Sequence, residues 1–391
     1  MKFRNAGSIL SFCLALAFSL AAQEPPPPTL DALVQSARSS YAKGDYKGAG
    51  TALEQAWTMA EQFPLDHPKR YEVLKQQYAV SSAAGQYEDA EKYLQLAINW
   101  RENTLGRDNP KVAEDLTELA MLCRNLNDIP RGLSILQIVS DMHVRAGGMQ
   151  TVNFADDQSR IALLQMDDKN PERAADSLRT AIVIRENVLG TDNYALLPEL
   201  IRLGTIWVML RNYDKAELVY RHALVIHERA LGPGNPDLIP TVEGLAYALF
   251  GQKKYAEAEP YYRRLISLWQ TAGGKEHPVL ALTFDKLAVF YREQDRRDEA
   301  DAAMVRAEAI RSLFYASGLT EEALLHMTRG ETVESAQLLH RAAAALDPMR
   351  PEHQDLLSQI EANLKNLEAS RPNPAAPIPT RKATPKSSRK P

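Results

Sequence analysis

Cysteine is nearly absent from this chain: Cys13 and Cys123 are the only two among 391 residues. Cys13 falls in an apolar N-terminal stretch that reads as removable, so no disulfide is expected within the remainder. Cys123 reads as a small buried hydrophobe on an inward helix face. The eight histidines are not spaced to share a metal. His222 and His227 lie five apart on one helix, about 140° around its axis. His67 and His277 each precede a proline that opens a helix, and His326 and His340 fall on opposite helices of one hairpin. The doublets Asp156-Asp157 and Asp167-Asp168 lack the alternating acids and central glycine of a calcium loop and read as solvated. Gly273-Gly274-Lys275 lacks the leading glycine and the following Ser or Thr of a phosphate loop. Neither Gly-x-Ser-x-Gly nor His-Glu-x-x-His occurs. The expectation is therefore no catalytic residues, no metal, no cofactor and no enzyme. No small-molecule substrate is indicated.

Basic charge is also scarce where it would matter. Residues 5–370 hold 38 basic against 50 acidic residues, a net charge of −12. An acidic body argues against nucleic acid as a partner, because phosphates call for a basic face. The stretch from Arg371 to Pro391 is the opposite, rich in proline, lysine and arginine and without an acid. No core can form there, so 370–391 reads as a disordered basic tail. At the other end, Lys2 and Arg4 precede an apolar run from Ile9 to Ala22, and Ser19-Leu20-Ala21 fits a small-x-small cleavage site. The run is shorter than the ~20 residues of a spanning helix. Residues 1–21 thus read as a signal peptide, with export to the periplasm or beyond and no membrane span after cleavage. A proline-rich linker follows at 22–28.

What the chain has in abundance is repetition. Ala49, Ala90, Gly132, Ala174, Ala216, Ala258 and Ala300 recur at a step of 41 and then of 42, and Ala56, Ala97, Val139, Ala181, Ala223, Leu265 and Ala307 keep the same step. Between the members of each pair stands one larger residue: Leu53, Leu94, Leu136, Leu178, Tyr220, Tyr262 or Met304. Leu200 to Gly232 displays one unit well. It holds two stretches of helical period on either side of the polar break Arg211-Asn212-Tyr213-Asp214, which is the pattern of a helical hairpin. Small residues let the two helices of such a hairpin lie close.

This pattern resembles the tetratricopeptide repeat (TPR), and its 42-residue step is similar to the repeats of kinesin light chains. The connections RENTLGRDNP (Arg101 to Pro110), RENVLGTDN (Arg185 to Asn193) and HERALGPGNP (His227 to Pro236) carry the likeness. Gly106, Gly190 and Gly232 suit a helix C-terminal cap, and Pro110 and Pro236 suit the start of the next helix. The resemblance implies an all-α, right-handed solenoid (a superhelix of stacked hairpins) over 29–369. About seven long repeats, an eighth shorter hairpin from Leu319 to Leu346 with Ala336 and Ala343 at its small positions, and a capping helix from Glu352 to Glu368 are expected. Turns are expected at Lys43-Gly44-Asp45-Tyr46, Ala84-Gly85-Gln86-Tyr87, Lys169-Asn170-Pro171, Lys253-Lys254-Tyr255 and Asp295-Arg296-Arg297. The third repeat reads as damaged, with Ile129-Pro130 in its turn, Gly132 and Val139 at small positions, and Gly147-Gly148 interrupting its connection, so a weak point is expected near 127–150. The second departs in its first helix, with Gln77 and Tyr78 where others have Leu and a small residue.

The resemblance further implies a platform that binds a peptide or protein in a concave groove lined by the first helix of each hairpin. The register places Arg38 and Tyr41; Thr117, Met121 and Arg124; Ser159, Leu163 and Met166; Ile201, Thr205 and Val208; Glu243, Tyr247 and Phe250; and Asp285, Val289 and Arg292 on that side. Of these, Ile201, Thr205, Val208, Tyr247 and Phe250 form the apolar and aromatic part, with Arg124 and Arg292 flanking. Kinesin light chains commonly carry an asparagine on this helix that holds a peptide backbone; here Glu118, Arg202, Gly244 and Lys286 stand in its place. The expected function is a non-catalytic exported scaffold or adaptor. The alternative is a structural envelope protein that self-associates or binds the wall through its basic tail.

Overall fold

A computed structural model of the chain describes residues 28–274 and 277–369. The segment read as a signal peptide, the linker apart from Pro28, and the basic tail lie outside these residues. Sixteen α-helices and two short 3-10 turns occur among the described residues, and no strand. The chain divides after Asn193 into two compact units.

The first unit is a stack of four antiparallel hairpins. They are α1 (Leu30–Ala42) with α2 (Tyr46–Ala60), α3 (Pro68–Ala83) with α4 (Tyr87–Leu105), α5 (Pro110–Asn125) with α6 (Ile129–Gly147), and α7 (Val152–Asp167) with α8 (Pro171–Leu189). The second unit holds α9 (Leu197–Met209) with α10 (Tyr213–Leu231), α11 (Ile239–Gly251) with α12 (Tyr255–Gly273), then α13 (Pro278–Arg292), α14 (Arg297–Thr328), α15 (Thr332–Ala344) and α16 (Pro351–Ala369). This is an all-α repeat solenoid.

The register accounts for the packing. Every residue at the two small positions is buried, from Ala49 and Ala56 to Ala300 and Ala307. The larger residue between them is buried in six repeats, and each such side chain contributes roughly 1.5–3 kcal/mol. Met304, the seventh, is 40% exposed.

Capping follows the same step. His67, Asn109, Thr151, Asn235 and His277 each accept a backbone N–H at the start of a first helix or the 3-10 turn before it. The two histidine rings also stack on Phe63 and Trp269. Gly106, Gly148, Gly190, Gly232 and Gly274 end the second helices, all with φ between 81° and 93°, a conformation that glycine adopts without strain.

The third repeat is not damaged. Gly148 is the regular cap of its series, and α6 runs through Gly147 without interruption. Ile129 and Pro130 open α6, where proline is favoured, and the turn is Leu126 to Asp128. Gly132 is required by close approach, since a Cβ there would lie 2.9 Å from the Ala120 carbonyl oxygen and 3.0 Å from Leu164 Cδ1. The grounds for a weak point at 127–150 therefore fall away.

The eighth hairpin also differs from expectation. Its first half is continuous with the second helix of repeat seven, in the 32-residue α14. Ala316 stands where the cap series would place its next glycine, and Thr320 where Pro236 and Pro278 stand two and one repeats earlier. With neither a left-handed stop nor a proline start, the helix runs on. In α15 the buried small positions are Ser335 and Ala342, one residue before the expected Ala336 and Ala343. Ser335 Oγ donates to the Ala323 carbonyl at 2.8 Å. Helix α16 covers the end of the stack with Ile360 and Leu367 buried.

Candidate partner-binding face

In the second unit, α9 and α11 pack side by side, and α13 joins α11 through an ion pair between Lys286 and Glu243 and through Phe250, whose ring centroid is 6.1 Å from that of Phe290. The residues Ile201, Thr205 and Val208, then Glu243, Tyr247 and Phe250, then Asp285, Val289 and Arg292 repeat the spacing i, i+4, i+7 on each helix, so each triplet shares one helix face. Tyr247 and Val289 are 44% and 50% exposed, and Thr205 and Arg292 are exposed as well. Ile201, Val208 and Phe250 are half-buried. Phe250 is engaged with Tyr255 and Phe290. Tyr213 closes on Tyr247 edge to face at 6.4 Å, a favoured aromatic geometry. Arg124 lies on α5. It belongs to the first unit, where Asp167 accepts from its Nε at 2.5 Å.

The floor of this face is set by a tyrosine in the register. Tyr220 replaces the leucine of earlier repeats, and its ring lies against the backbones of two glycines. A Cβ at Gly204 would sit 2.7 Å from the ring, and one at Gly244 would sit 2.2 Å from Cζ. The Thr205 hydroxyl donates to the Ile201 carbonyl at 2.9 Å and so accepts the Tyr220 hydroxyl at 3.0 Å. Burial pushes the Tyr220 phenol above its usual range, so it remains a donor at neutral pH. Gly244 thus has a packing reason to depart from the asparagine of the resembled family. Lys286 and Glu118 are instead engaged in ion pairs, with Glu243 and Lys75.

The corresponding face of the first unit is ionic. Arg38 pairs with Glu72 at 3.0 Å, Lys75 with Glu118, and Arg124 with Asp167. Ser159 is buried there and donates to the Ala155 carbonyl.

A second feature at the same step is not apparent from motifs. Residues near the end of one second helix meet residues in the second turn of the next first helix, 14 positions on. Arg101 pairs with Asp115 at 3.2 Å, His143 with Asp157 at 2.7 Å, and His227 with Thr241 at 3.1 Å. Asp115 and Asp157 are buried, which corrects the reading of Asp156-Asp157 as solvated. Burial raises the Asp157 carboxyl despite the His143 hydrogen bond. The signal was the 42-residue spacing of Asp115, Asp157 and Glu199. These contacts hold hairpin to hairpin. Cys123 is buried, and burial raises its thiol. No group of three or more possible metal ligands, and no helix long and apolar enough to cross a membrane, occurs among the described residues.

Fold and register together define a helical-hairpin repeat protein. Tetratricopeptide repeat models match residues 79–111, 200–237 and 237–312. These stretches are tetratricopeptide repeats, and the 42-residue step carries the same register through the remaining hairpins. Among solved structures it resembles the C-terminal part of a TPR repeat-containing protein from Cytophaga hutchinsonii, at 16% identity and a TM-score of 0.52, over 71% of this chain and 94% of that one. BtubC (BKLC) from P. vanneervenii aligns at 17% identity and a TM-score of 0.49, over 63% and 94%. The TPR-like repeats of a candidate kinesin light chain from Podosopora anserina align at 17% and 0.45, over 52% and 96%. No curated protein matches the sequence. At these identities the likeness is one of fold.

Proposed function

We propose that this protein is an exported, non-catalytic adaptor whose second unit binds a peptide or protein partner on the first-helix face. The observation that carries the proposal is Tyr247, 44% exposed on a helix whose flanking positions, Ala246 and Ala248, are buried. Val208, Tyr247 and Val289 offer apolar area, and the Glu243–Lys286 and Asp285–Arg311 pairs form a polar rim. Exposed apolar patches with such rims are what contact sites have in common. Charge pairs of this exposure contribute little to stability, so they are free to exchange partners on binding. Export rests on the charge, apolar length and small residues of the first 21 positions. It predicts a mature N-terminus near Ala22, read by mass spectrometry, and an intact Met1 on a cytoplasmic protein would refute it.

A pull-down from the envelope fraction supplies the partner, and Tyr247→Ala tests the face. Loss of ~2 kcal/mol or more of affinity with nearly unchanged melting is expected. A destabilisation of roughly 3–5 kcal/mol with unchanged affinity of the folded protein would mean that Tyr247 is core and the face is wrongly placed.

A further inference from the structure

One core position of the register is polar. Leu119, Ile161, Leu203, Leu245 and Leu287 succeed one another at 42-residue steps on the first helices, and all are buried. The place one repeat earlier belongs to Gln77, which is 5% exposed. Its Oε1 is buried without a hydrogen-bond partner. A leucine would have avoided that penalty, so packing gives no reason for glutamine here.

Gln77 lines a cavity of about 330 Å³ bounded by α2, α3 and α4. Leu53, Val80 and the buried Ser81 lie around it, and Glu54, Asp89 and Tyr93 stand at its wall. Neither the Glu54 nor the Asp89 carboxylate has a hydrogen bond or ion pair among the described residues. Burial, then the charges of Asp89 and Glu54, raise the Tyr93 phenol, which places both carboxylates within electrostatic reach of one point. Against these two acids the lining holds one ammonium, Lys47.

We propose that this cavity binds a guanidinium or ammonium group, with the Gln77 amide turning its oxygen to the ligand at the floor and Glu54 and Asp89 neutralising the charge at the wall. A guanidinium presents several N–H donors and no acceptor, which matches a site of acceptors. An anionic ligand would meet two unpaired carboxylates. The volume is near the lower bound of ligand pockets and suits a group the size of an arginine side chain. Such a group can come from a free amine or from a partner's arginine.

The test uses the full chain and calorimetric titration at low salt with three probes: agmatine, a terminally blocked Gly-Arg-Gly peptide, and the same peptide with neutral citrulline in place of arginine. Saturable binding of agmatine, the arginine peptide or both is expected. Agmatine alone would identify a free small molecule, and the peptide alone a partner's side chain. Gln77→Leu should weaken binding at least tenfold while raising the melting temperature, because it restores the apolar register. The double variant Glu54→Gln, Asp89→Asn should also lose at least tenfold. Three results would overturn the proposal: neither cationic probe binds, citrulline binds as tightly as arginine, or Gln77→Leu binds like the wild type.

Discussion

Gly244→Ala tests the packing logic of the second unit. In an ordinary helix interior this change stabilises by about 1 kcal/mol, because alanine restricts the unfolded chain. Here the new Cβ would lie 2.2 Å from Tyr220 Cζ and 2.4 Å from Cε1. The ring has little room to retreat, since it also lies 2.7 Å from where a Gly204 Cβ would be. Overpacking of this kind costs ~1–3 kcal/mol, so the stabilisation should be lost and the variant net destabilised by up to about 2 kcal/mol. Tyr220→Leu removes the ring and restores the leucine found at 53, 94, 136 and 178. In that background Gly244→Ala should turn stabilising, with a coupling energy of roughly 1–3 kcal/mol across the cycle. Urea denaturation of the four proteins by circular dichroism gives the energies. Native-state hydrogen exchange of α9 to α11 locates them, because repeat arrays open in parts. If Gly244→Ala stabilises both backgrounds alike, to within about 0.5 kcal/mol, the two-glycine slot does not constrain Tyr220 and the account is wrong.

Two other expectations follow from the register. Hydrogen bonds from Lys254, Gln252 and Arg221 outweigh burial and hold the Glu217 carboxylate down at about 2, and Arg296, with Arg263, holds Glu259 at about 2. The unfolded chain binds these protons at ordinary carboxylate values, so their stabilisation is present above about pH 4.5 and lost as pH falls toward 2. Melting temperature should drop across that window, and Glu217→Gln should flatten the drop; an unchanged slope would refute the assignment. The hairpin turns place Asn127, Lys169, Arg211, Lys253 and Asp295 in the left-handed region, at the position that Gly44 and Gly85 hold in the first two repeats. Lys253→Gly should therefore stabilise by about 0.5–1 kcal/mol, the left-handed strain relieved less the entropy of glycine. A lowered melting temperature would show that the lysine side chain makes a compensating contact.

The hairpins, their step, their small positions and the apolar triplets of the first helices were all legible in the chain. Each depends on interactions that recur locally: helical period, the two residues that separate adjacent helices, and glycine or proline at helix ends. Periodicity carried less information where two unlike residues compensate each other. Gly132 read as damage, and only the approach of the Ala120 carbonyl reveals it as a fit. Gly244 read as a missing asparagine until Tyr220, on the preceding helix, was seen to occupy its space. Asp157 read as solvated, although His143 pairs with it in the buried ladder. In the last hairpin the absence of one glycine and one proline was visible, but its consequence, a 32-residue helix with its small positions shifted by one, depends on what α14 packs against. The sequence by itself thus determined the repeat and its caps, because those are set within one hairpin. The tertiary structure decided which departures from the repeat are errors and which are contacts, because each of those is settled by a residue in a different helix.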